Sequence, residues 1–541
     1  MRELHPLKIA IVEDNATART NLRSHLLSLQ NFDIASYSNG KELRNGLRVT
    51  DFDAIFIDYH LGQNKNGVEW IQSLRDTKLL KPSTGLIFIT SDSMPNTIGQ
   101  ILDMYPDLII IKPYTIRNLL SSFKHYMKVR QQTKPVLEYI NKASFELALD
   151  YIDEKLDNGI EARFRSDFIK LKGRILLQAQ QYEKAADLYS KVLNKSQNVM
   201  WAHWGLIKSE FFIGKWNHCQ DMLDRLIEQS LTKDKAYEWL ASVELGKKNY
   251  EKAEALLDKI KESELSIQAT RLKTMCYKMQ GKADAAIKLL ERKIQGNLSI
   301  RERMVDYTME LARYHLHLAD QVLKRHQKQD EVNEAKKLIG RASRNILDRH
   351  AEMQKDYMLA LAHLLEDDSQ KAHKIMLANE QLYRVEDANI VTKVDAVKVW
   401  FGLGEKGKAN ELLESCDEVL MSQINHIDSI VSNELITSTE QSLGIEKNRA
   451  MSVNEQGMSY FQKNQQSKAL QCFHRAYTMF PGVPAFALNL LQSLYECGQY
   501  EYKGVTADII INELQNLALN DKNQHRFNML ADALSHQAKA Q

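Results

Sequence analysis

Short apolar runs alternate with amphipathic stretches over the first 125 residues of the chain. Runs of strand length occur at 9–12, 34–37, 54–57, 86–89 and 108–111, and amphipathic segments such as Thr17–Leu29 and Val68–Leu74 lie between them. Strands that alternate with helices in this way are typical of a doubly wound sheet. The pattern therefore predicts an α/β fold with five parallel strands, whose ligands sit at the carboxyl ends of the strands.

The distribution of proline divides the chain into two parts. The chain has 8 prolines, at positions 6, 82, 95, 106, 113, 135, 481 and 484, so none lies between 136 and 480. Such a long segment without proline disfavours sandwiches and barrels, which need turn residues at short intervals. It predicts helices joined by short turns. We expect one domain at 1–125, a linker at 126–135 and a helical repeat domain at 136–541.

Small residues recur at a fixed period in the second part. They stand at Ala185, Cys219, Ala253 and Ala286, with separations of 34, 34 and 33 residues. This period resembles that of tetratricopeptide (TPR) arrays, which stack helix pairs into an all-α solenoid. The clearest single copy is C-terminal, and its signature residues are Gly457, Tyr460, Ala469, Phe473, Ala476 and Pro481. Clear repeats are expected at about 166–297 and 450–500, with irregular helices at about 301–450 around degenerate copies at Ala372 and Ala409.

Composition narrows the class of protein. The chain has 72 Lys+Arg and 70 Asp+Glu, a formal net charge of +2, which gives no global field for nucleic acid or an anionic membrane. No apolar run approaches about 18 residues, so no membrane span is expected. The chain start leads directly into a strand-like segment rather than a signal peptide. Five scattered cysteines without a CxxC pair favour reduced thiols in a cytoplasmic protein.

Polar residues follow the predicted strands at the edge where a ligand would bind. Strand 1 is followed by Glu13 and Asp14, strand 3 by Asp58, strand 4 by Thr90 and strand 5 by Lys112. Three carboxylates in one crevice repel one another unless a cation offsets their charge. Hard oxygen ligands suit Mg²⁺. A hydroxyl and an ammonium add the contacts that a phosphorylated carboxylate needs, so the pattern predicts a phosphoryl-accepting site with Asp58 as the nucleophile.

These five residues at four strand ends make residues 7 to about 125 similar to the receiver domain of bacterial two-component response regulators, which has a flavodoxin-like fold. The resemblance implies that Asp58 accepts a phosphoryl group from a histidine kinase or a phosphotransfer protein. It implies Mg²⁺ ligands at Asp14, Asp58 and the backbone carbonyl of His60, with Glu13 acting through water. It also implies that Thr90 and Lys112 sense the phosphoryl group, and that the bond between Lys112 and Pro113 is cis.

The sequence departs from the family pattern at the switch. Ile109 stands where an aromatic residue is usual, which puts a rotating-ring pathway in doubt, and Ser91 stands where alanine is common. His60 and Asp92 occupy positions that tune dephosphorylation in the family. They can equally be solvent-facing loop residues.

The resemblances together predict a phosphorelay response regulator whose TPR output binds a protein partner. One alternative is an RNA-binding regulator, because the segment 324–349 carries eight Lys/Arg against four acids. The other is a phosphate sink or a constitutive scaffold.

No helix-turn-helix pair follows residue 135, so no DNA binding is expected. No phosphate loop, paired metal histidines or nucleophile elbow is visible, so the only catalysis expected is the chain's own phosphoryl transfer and dephosphorylation.

Overall fold

The first part of the chain folds around a parallel sheet. The computed structural model describes residues 6–538, apart from residues 31, 63–64, 229–231, 345–348, 383–384, 386–387 and 424. The sheet has the strand order β2-β1-β3-β4-β5, and neighbouring strands are parallel throughout. The strands are β1 (Lys8–Val12), β2 (Asp33–Tyr37), β3 (Ala54–Asp58), β4 (Gly85–Thr90) and β5 (Leu108–Ile111). The predicted doubly wound α/β fold is confirmed.

Helices cover both faces of this sheet. They are α1 (Ala16–Leu27), α2 (Gly40–Leu47), α3 (Gly67–Asp76), α4 (Pro95–Asp103) and α5 (Ile116–Gln132). One apolar cluster joins α2, α3 and α4 to the sheet around Ile71 and Phe88, and the other joins α1 and α5 to it around Phe56 and Phe123. Both clusters are built from residues before 128 alone. This part therefore has a core of its own.

The junction between the two parts is helical. α5 ends at Gln132, and the next helix, α6 (Lys134–Asn141), begins after the single residue Thr133. The Arg130 guanidinium donates to the carbonyl of Ser83 at 2.8 Å, which fixes the end of α5 against the sheet. The segment 126–135, expected as a linker, thus contains little irregular chain. The division of the chain into domains stays a prediction.

The second part is an array of paired antiparallel helices. They are α7 (Phe145–Asp157), α8 (Ala162–Gln178), α9 (Tyr182–Lys195), α10 (Met200–Ile213), α11 (Trp216–Ile227), α12 (Lys233–Gly246), α13 (Tyr250–Leu257), α14 (Ile267–Met279), α15 (Ala283–Gly296), α16 (Arg301–Gln321), α17 (Arg325–Ser343), α18 (Arg349–Leu365), α19 (Ser369–Leu382), α20 (Ile390–Gly402), α21 (Lys406–Ser422), α22 (His426–Ser442), α23 (Glu446–Gln462), α24 (Gln466–Met479), α25 (Pro484–Glu496), α26 (Ala507–Gln515) and α27 (Asp521–Ala538). A short hairpin, β6 (Glu501–Tyr502) and β7 (Val505–Thr506), precedes α26. None of the described helices combines the length and the apolar composition that a bilayer crossing needs.

The turns within the helix pairs follow the predicted period. Residues with left-handed backbone stand at 180, 214, 248 and 281, and the predicted small residues at 185, 219, 253 and 286 follow five positions later, each fully buried. The same turn precedes the degenerate copies, with Asp367 before Ala372 and Gly404 before Ala409. A tight turn and a close helix crossing therefore recur together. The TPR-like run of helices is confirmed, and it continues into the region where irregular helices were expected.

Long-range contacts join distant helices of the array. α22 packs against α12, α14 and α20, and the His426 ring stacks on Trp239 with 3.6 Å between ring centroids. At the C-terminal end the β6–β7 hairpin reaches back to the turn before α11, where the Lys503 amide donates to the Gly214 carbonyl at 2.6 Å. Both contacts join segments of the array that lie far apart in the sequence.

Candidate functional site

Three carboxylates meet at the carboxyl ends of β1 and β3. One oxygen from each of Glu13, Asp14 and Asp58 lies within 4.8 Å of the other two. Glu13 and Asp58 are buried, whereas Asp14 is exposed. We call this group together with Lys112 the acidic crevice. The parallel register of β1 and β3 explains the arrangement, because it places the ends of both strands at one edge of the sheet.

Lys112 bridges the two buried acids. Its ammonium donates to Asp58 Oδ2 at 2.6 Å and to Glu13 Oε2 at 2.7 Å. Burial raises the pKa of Glu13, and the hydrogen bond from Lys112 partly offsets this effect. Burial alone would lower the pKa of Lys112, but its hydrogen bonds to Asp58 and Glu13 outweigh burial and raise that pKa. The two carboxyl groups therefore favour the charged form of Lys112.

The crevice carries more negative than positive charge. Three carboxylates face a single ammonium, so the described side chains of the crevice sum to a formal charge of −2. A site of hard oxygen ligands with an uncompensated negative charge fits a divalent cation such as Mg²⁺. Glu13, Asp14 and Asp58 are the side chains that would hold it, and receiver domains generally bind Mg²⁺ at an acidic pocket of this kind.

The switch residues predicted from the sequence lie next to the crevice. Thr90 is fully buried at the end of β4, where its hydroxyl accepts from the Asp92 amide at 3.0 Å. The amide of His60 donates to Asp58 Oδ1 at 3.0 Å, and its ring lies 3.6 Å from the Asp92 carboxylate. The cis bond between Lys112 and Pro113 is confirmed. The roles of these residues stay predictions.

Two departures from the family pattern have clear positions. Ile109 pairs with Phe88 in the ladder between β4 and β5 and packs against the apolar cluster around that residue. The aliphatic side chain of Ile109 therefore occupies the position at which the family usually has an aromatic residue. Ser91 is exposed immediately after Thr90, at the start of the loop that leads to α4.

This loop connects the crevice to α4 through Asp92. The Asp92 carboxylate accepts from the Thr97 hydroxyl at 2.6 Å and from the Met94 amide at 2.8 Å. Burial alone would raise the pKa of Asp92, but these hydrogen bonds outweigh burial and lower it. The first turn of α4 is thus fixed to the residue that also bonds Thr90.

The array holds α4 and α3 of the first part by ion pairs. Lys235 on α12 binds the Asp103 carboxylate at the end of α4. Arg303 on α16 makes a bidentate pair with Glu69 on α3, at 2.6 Å and 2.5 Å. Sequence reasoning missed both contacts, because neither cation belongs to a motif and each lies more than 130 residues from its partner.

Glu69 also connects α3 to the loop after β3. It forms a capping box with Asn66 at the start of α3, and the Asn66 amide side chain donates to the Tyr59 hydroxyl at 3.3 Å. The Tyr59 hydroxyl in turn donates to Gln100 on α4 at 3.0 Å. Both loops that leave the crevice therefore lead to elements that the array contacts.

Comparisons with known proteins identify the family of the first part of the chain. Residues 9–124 match the family model of the response regulator receiver domain, and no curated protein matches the chain. Among solved structures, the BeF3-activated receiver domain of DrrB is 21% identical and covers 23% of this chain and 98% of its own, with a TM-score of 0.20. A response regulator protein from Burkholderia pseudomallei with a phosphorylated aspartic acid is 18% identical and covers 30% of this chain and 91% of its own, with a TM-score of 0.20.

A tetratricopeptide repeat protein from Parabacteroides merdae is 13% identical and covers 54% of this chain and 98% of its own, with a TM-score of 0.35. At these levels of identity the solved structures show similarity of fold and not of function. The chain therefore contains a response regulator receiver domain at residues 9–124, which is followed by a long helical region that resembles a TPR solenoid.

Proposed function

We propose that this chain is a phosphorelay response regulator whose receiver accepts a phosphoryl group on Asp58 and thereby controls protein binding by the array. The acidic crevice is the observation that carries the proposal. Asp58 is 6% exposed at the end of β3, with two further carboxylates and one lysine around it. The donor is a histidine kinase or a phosphotransfer protein.

The crevice has the groups that the transfer needs. An Asp58 oxygen attacks the phosphorus of a phosphohistidine, a P–O bond forms as the P–N bond breaks, and the released imidazole nitrogen takes a proton from water. Lys112 is already within hydrogen-bond distance of Asp58 and can follow the new charge onto the phosphoryl oxygens. Glu13 and Asp14 would hold Mg²⁺ beside Asp58. Bound Mg²⁺ neutralises charge on the phosphoryl oxygens.

Phosphorylation would act on the contacts between the receiver and the array. The phosphoryl group adds about −1.5 to −2 charges next to Thr90. A move of the Thr90 hydroxyl towards that group would break its contacts with Asp92, which fixes the first turn of α4. α4 is thus held at its first turn by Asp92 and at its other end by Lys235, so a rearrangement of the loop after β4 would shift α4 against Lys235. Phosphorylation therefore favours release of α4 from the array.

The alternatives have less support. Within 324–349, Lys336 pairs with Glu366 and Lys337 pairs with Glu334, so part of the basic charge is already compensated. Residues 345–348 of this segment lie outside the described residues. A phosphate sink does not need the receiver to be held by the array, yet Arg303 and Lys235 hold it at two separate elements.

The cysteines are compatible with a reducing compartment. All five are free in the structure, and four of them are buried. Burial raises the pKa of the Cys276 thiol to about 12 and that of the Cys416 thiol to about 11, which keeps both unreactive. The free thiols support the cytoplasmic location that belongs to this proposal.

Labelling by a small phosphodonor tests the Asp58 assignment. Wild type and Asp58→Ala are incubated with radiolabelled acetyl phosphate and Mg²⁺, and incorporated phosphate is counted. We expect full loss of acid-stable, base-labile label in Asp58→Ala. Asp51→Ala is the matched control, because Asp51 is an exposed carboxylate outside the crevice, in a surface ion pair with Lys81. Equal labelling of wild type and Asp58→Ala would overturn the assignment.

A further inference from the structure

α4 of the receiver is seated in a groove of the array. We call this the α4 groove and define it by Trp204 and Lys208 on α10 and Lys235 on α12. The Lys235 ammonium lies 4.5 Å from the Trp204 ring centroid, and the Lys208 ammonium lies 5.0 Å from the ring centroid of Tyr105, just after α4. The groove is therefore an apolar surface that carries two cations.

Lys235 is a buried cation whose counterion comes from the receiver. It is 7% exposed, and its ammonium donates to the Asp103 carboxylate and, at 3.4 Å, to the Gly99 carbonyl. Within the described chain, both hydrogen bonds of this ammonium go to α4. A buried ammonium without a partner is unfavourable. If α4 leaves, the Lys235 ammonium loses this partner and becomes accessible in the open groove, where it is available to another carboxylate.

The shape of the contact specifies a helix with a small residue. A Cβ placed on Gly99 would lie 3.4 Å from the Lys235 Cβ, in ordinary contact, so a side chain larger than alanine would displace the Lys235 side chain. Leu102 on the same side of α4 packs against the apolar core of the array. Gly99, Leu102 and Asp103 are spaced i, i+3 and i+4, which places them on one helix face. This is the helix-in-groove mode of recognition.

The second cation adds to the preference for negative charge. Burial lowers the pKa of Lys208 to about 8, while the Asp103 carboxylate opposes this effect. Lys208 and Asp103 also line a cavity of about 1280 Å³ between receiver and array, together with His426. This cavity leaves space for a ligand that extends beyond the end of α4.

We propose that the α4 groove is a binding site for a helix of a partner protein, which presents a glycine or alanine to Lys235 and a carboxylate one turn later. α4 occupies this site when the receiver is docked, and the partner helix replaces it when the receiver is released. The inference names the partner class of the output proposed above. It depends on that proposal only for the event that releases α4.

Binding of a helical peptide to full-length protein tests the site. The probe is a fluorescent peptide that copies residues 95–105, with alanine- and glutamine-rich extensions at both ends that favour a helix. The groove is opened without phosphorylation by Asp103→Lys, which places a third cation beside Lys235 and Lys208. We expect the probe to bind Asp103→Lys at least tenfold more tightly than wild type. Adding Lys235→Met to this chain should reduce the affinity at least tenfold.

Two changes in the probe test its recognised face. Replacing the glycine that copies Gly99 by leucine, or the aspartate that copies Asp103 by asparagine, should each reduce affinity at least tenfold. A second variant that should release the receiver is Arg303→Glu, which breaks the ion pair with Glu69 and leaves the residues of the α4 groove unchanged. It provides an independent test of peptide binding if Asp103→Lys does not fold. Circular dichroism checks the fold of each variant.

Equal binding to Asp103→Lys with and without Lys235→Met would overturn the proposal. So would a single-stranded RNA that binds the opened groove while the peptide does not. Labelling of wild type at Asp58 is measured separately. Failure of peptide binding with intact labelling refutes the groove alone, whereas loss of the labelling difference refutes the phosphoacceptor alone.

Discussion

The receiver and the array each bury a cluster of charged side chains, and the two clusters differ in balance. In the acidic crevice one lysine faces three carboxylates. In the array, Arg449 and Arg475 bind the buried acids Asp417 and Glu440, an arrangement we call the arginine knot. The buried groups of the knot are balanced in formal charge, with two guanidinium and two carboxyl groups, and the exposed Glu414 carboxylate lies 4.0 Å from Arg449 at its edge. An excess of one sign indicates a site for an external ion, whereas balance indicates a structural role.

The positions of the two clusters agree with this difference. The knot joins α21, α22, α23 and α24. Asp417 is 5% exposed and Glu440 is fully buried. Its charges are all supplied by the chain and have little access to solvent. In the crevice Asp14 is exposed, so one side of the cluster is open to ions and to a phosphodonor. Excess charge and access therefore occur together in the acidic crevice.

The largest effect is expected from breaking the knot. Arg449→Met removes the partner that binds both Asp417 and Glu440. Because this leaves buried carboxylates with fewer partners, we expect the array to lose about 3–5 kcal/mol of unfolding free energy. Urea denaturation measures the loss. Arg292→Met is the control, since it removes an exposed pair with Glu262 and should cost at most about 1 kcal/mol. Equal losses would show that the knot is not a stabilising network.

Mg²⁺ should stabilise the receiver and leave the array unchanged. A ligand that binds only the folded state adds about 2.7 kcal/mol at one hundred times its dissociation constant. Calorimetry with and without Mg²⁺ resolves the two transitions, and Ca²⁺-free chelated buffer supplies the baseline. A shift of the array transition of the same size would contradict the division between an ion site and a structural network.

A smaller effect of opposite sign is expected from removing a charge in the crevice. Asp14→Asn removes one of three mutually repelling carboxylates. Without Mg²⁺ we expect the receiver to gain about 1 kcal/mol, because Asp14 is exposed and solvent screens most of the repulsion. The stabilisation by Mg²⁺ should be largely lost. Thermal unfolding in chelator and in Mg²⁺ measures both effects, and destabilisation in chelator would refute the excess of negative charge.

The residues of the acidic crevice and the helix pairs of the array could be predicted from the sequence. Glu13, Asp58, Thr90 and Lys112 follow apolar strands, and a parallel sheet brings all strand ends to one edge. The period of small residues likewise predicted the helix pairs, because each close crossing needs such a residue. Local pattern and topology were sufficient for these features.

Contacts between the two parts could not be predicted in this way. Lys235 and Arg303 lie on helices with no motif, and their partners Asp103 and Glu69 are ordinary surface acids on a receiver. The pairing depends on how the array curves and closes, which α22 and the β6–β7 hairpin decide through contacts between distant segments. Such packing leaves no periodic signal in the chain.

Hydrogen exchange of α4 and α12 tests the central claim most directly. Full-length wild type and Asp58→Ala are compared with and without acetyl phosphate in Mg²⁺, and exchange is followed in peptides that cover α4 and α12. We expect phosphorylation to increase exchange in both helices of wild type, and in neither helix of Asp58→Ala, because release of α4 exposes the α4 groove. Unchanged exchange in a fully phosphorylated wild type would contradict control of the array by Asp58.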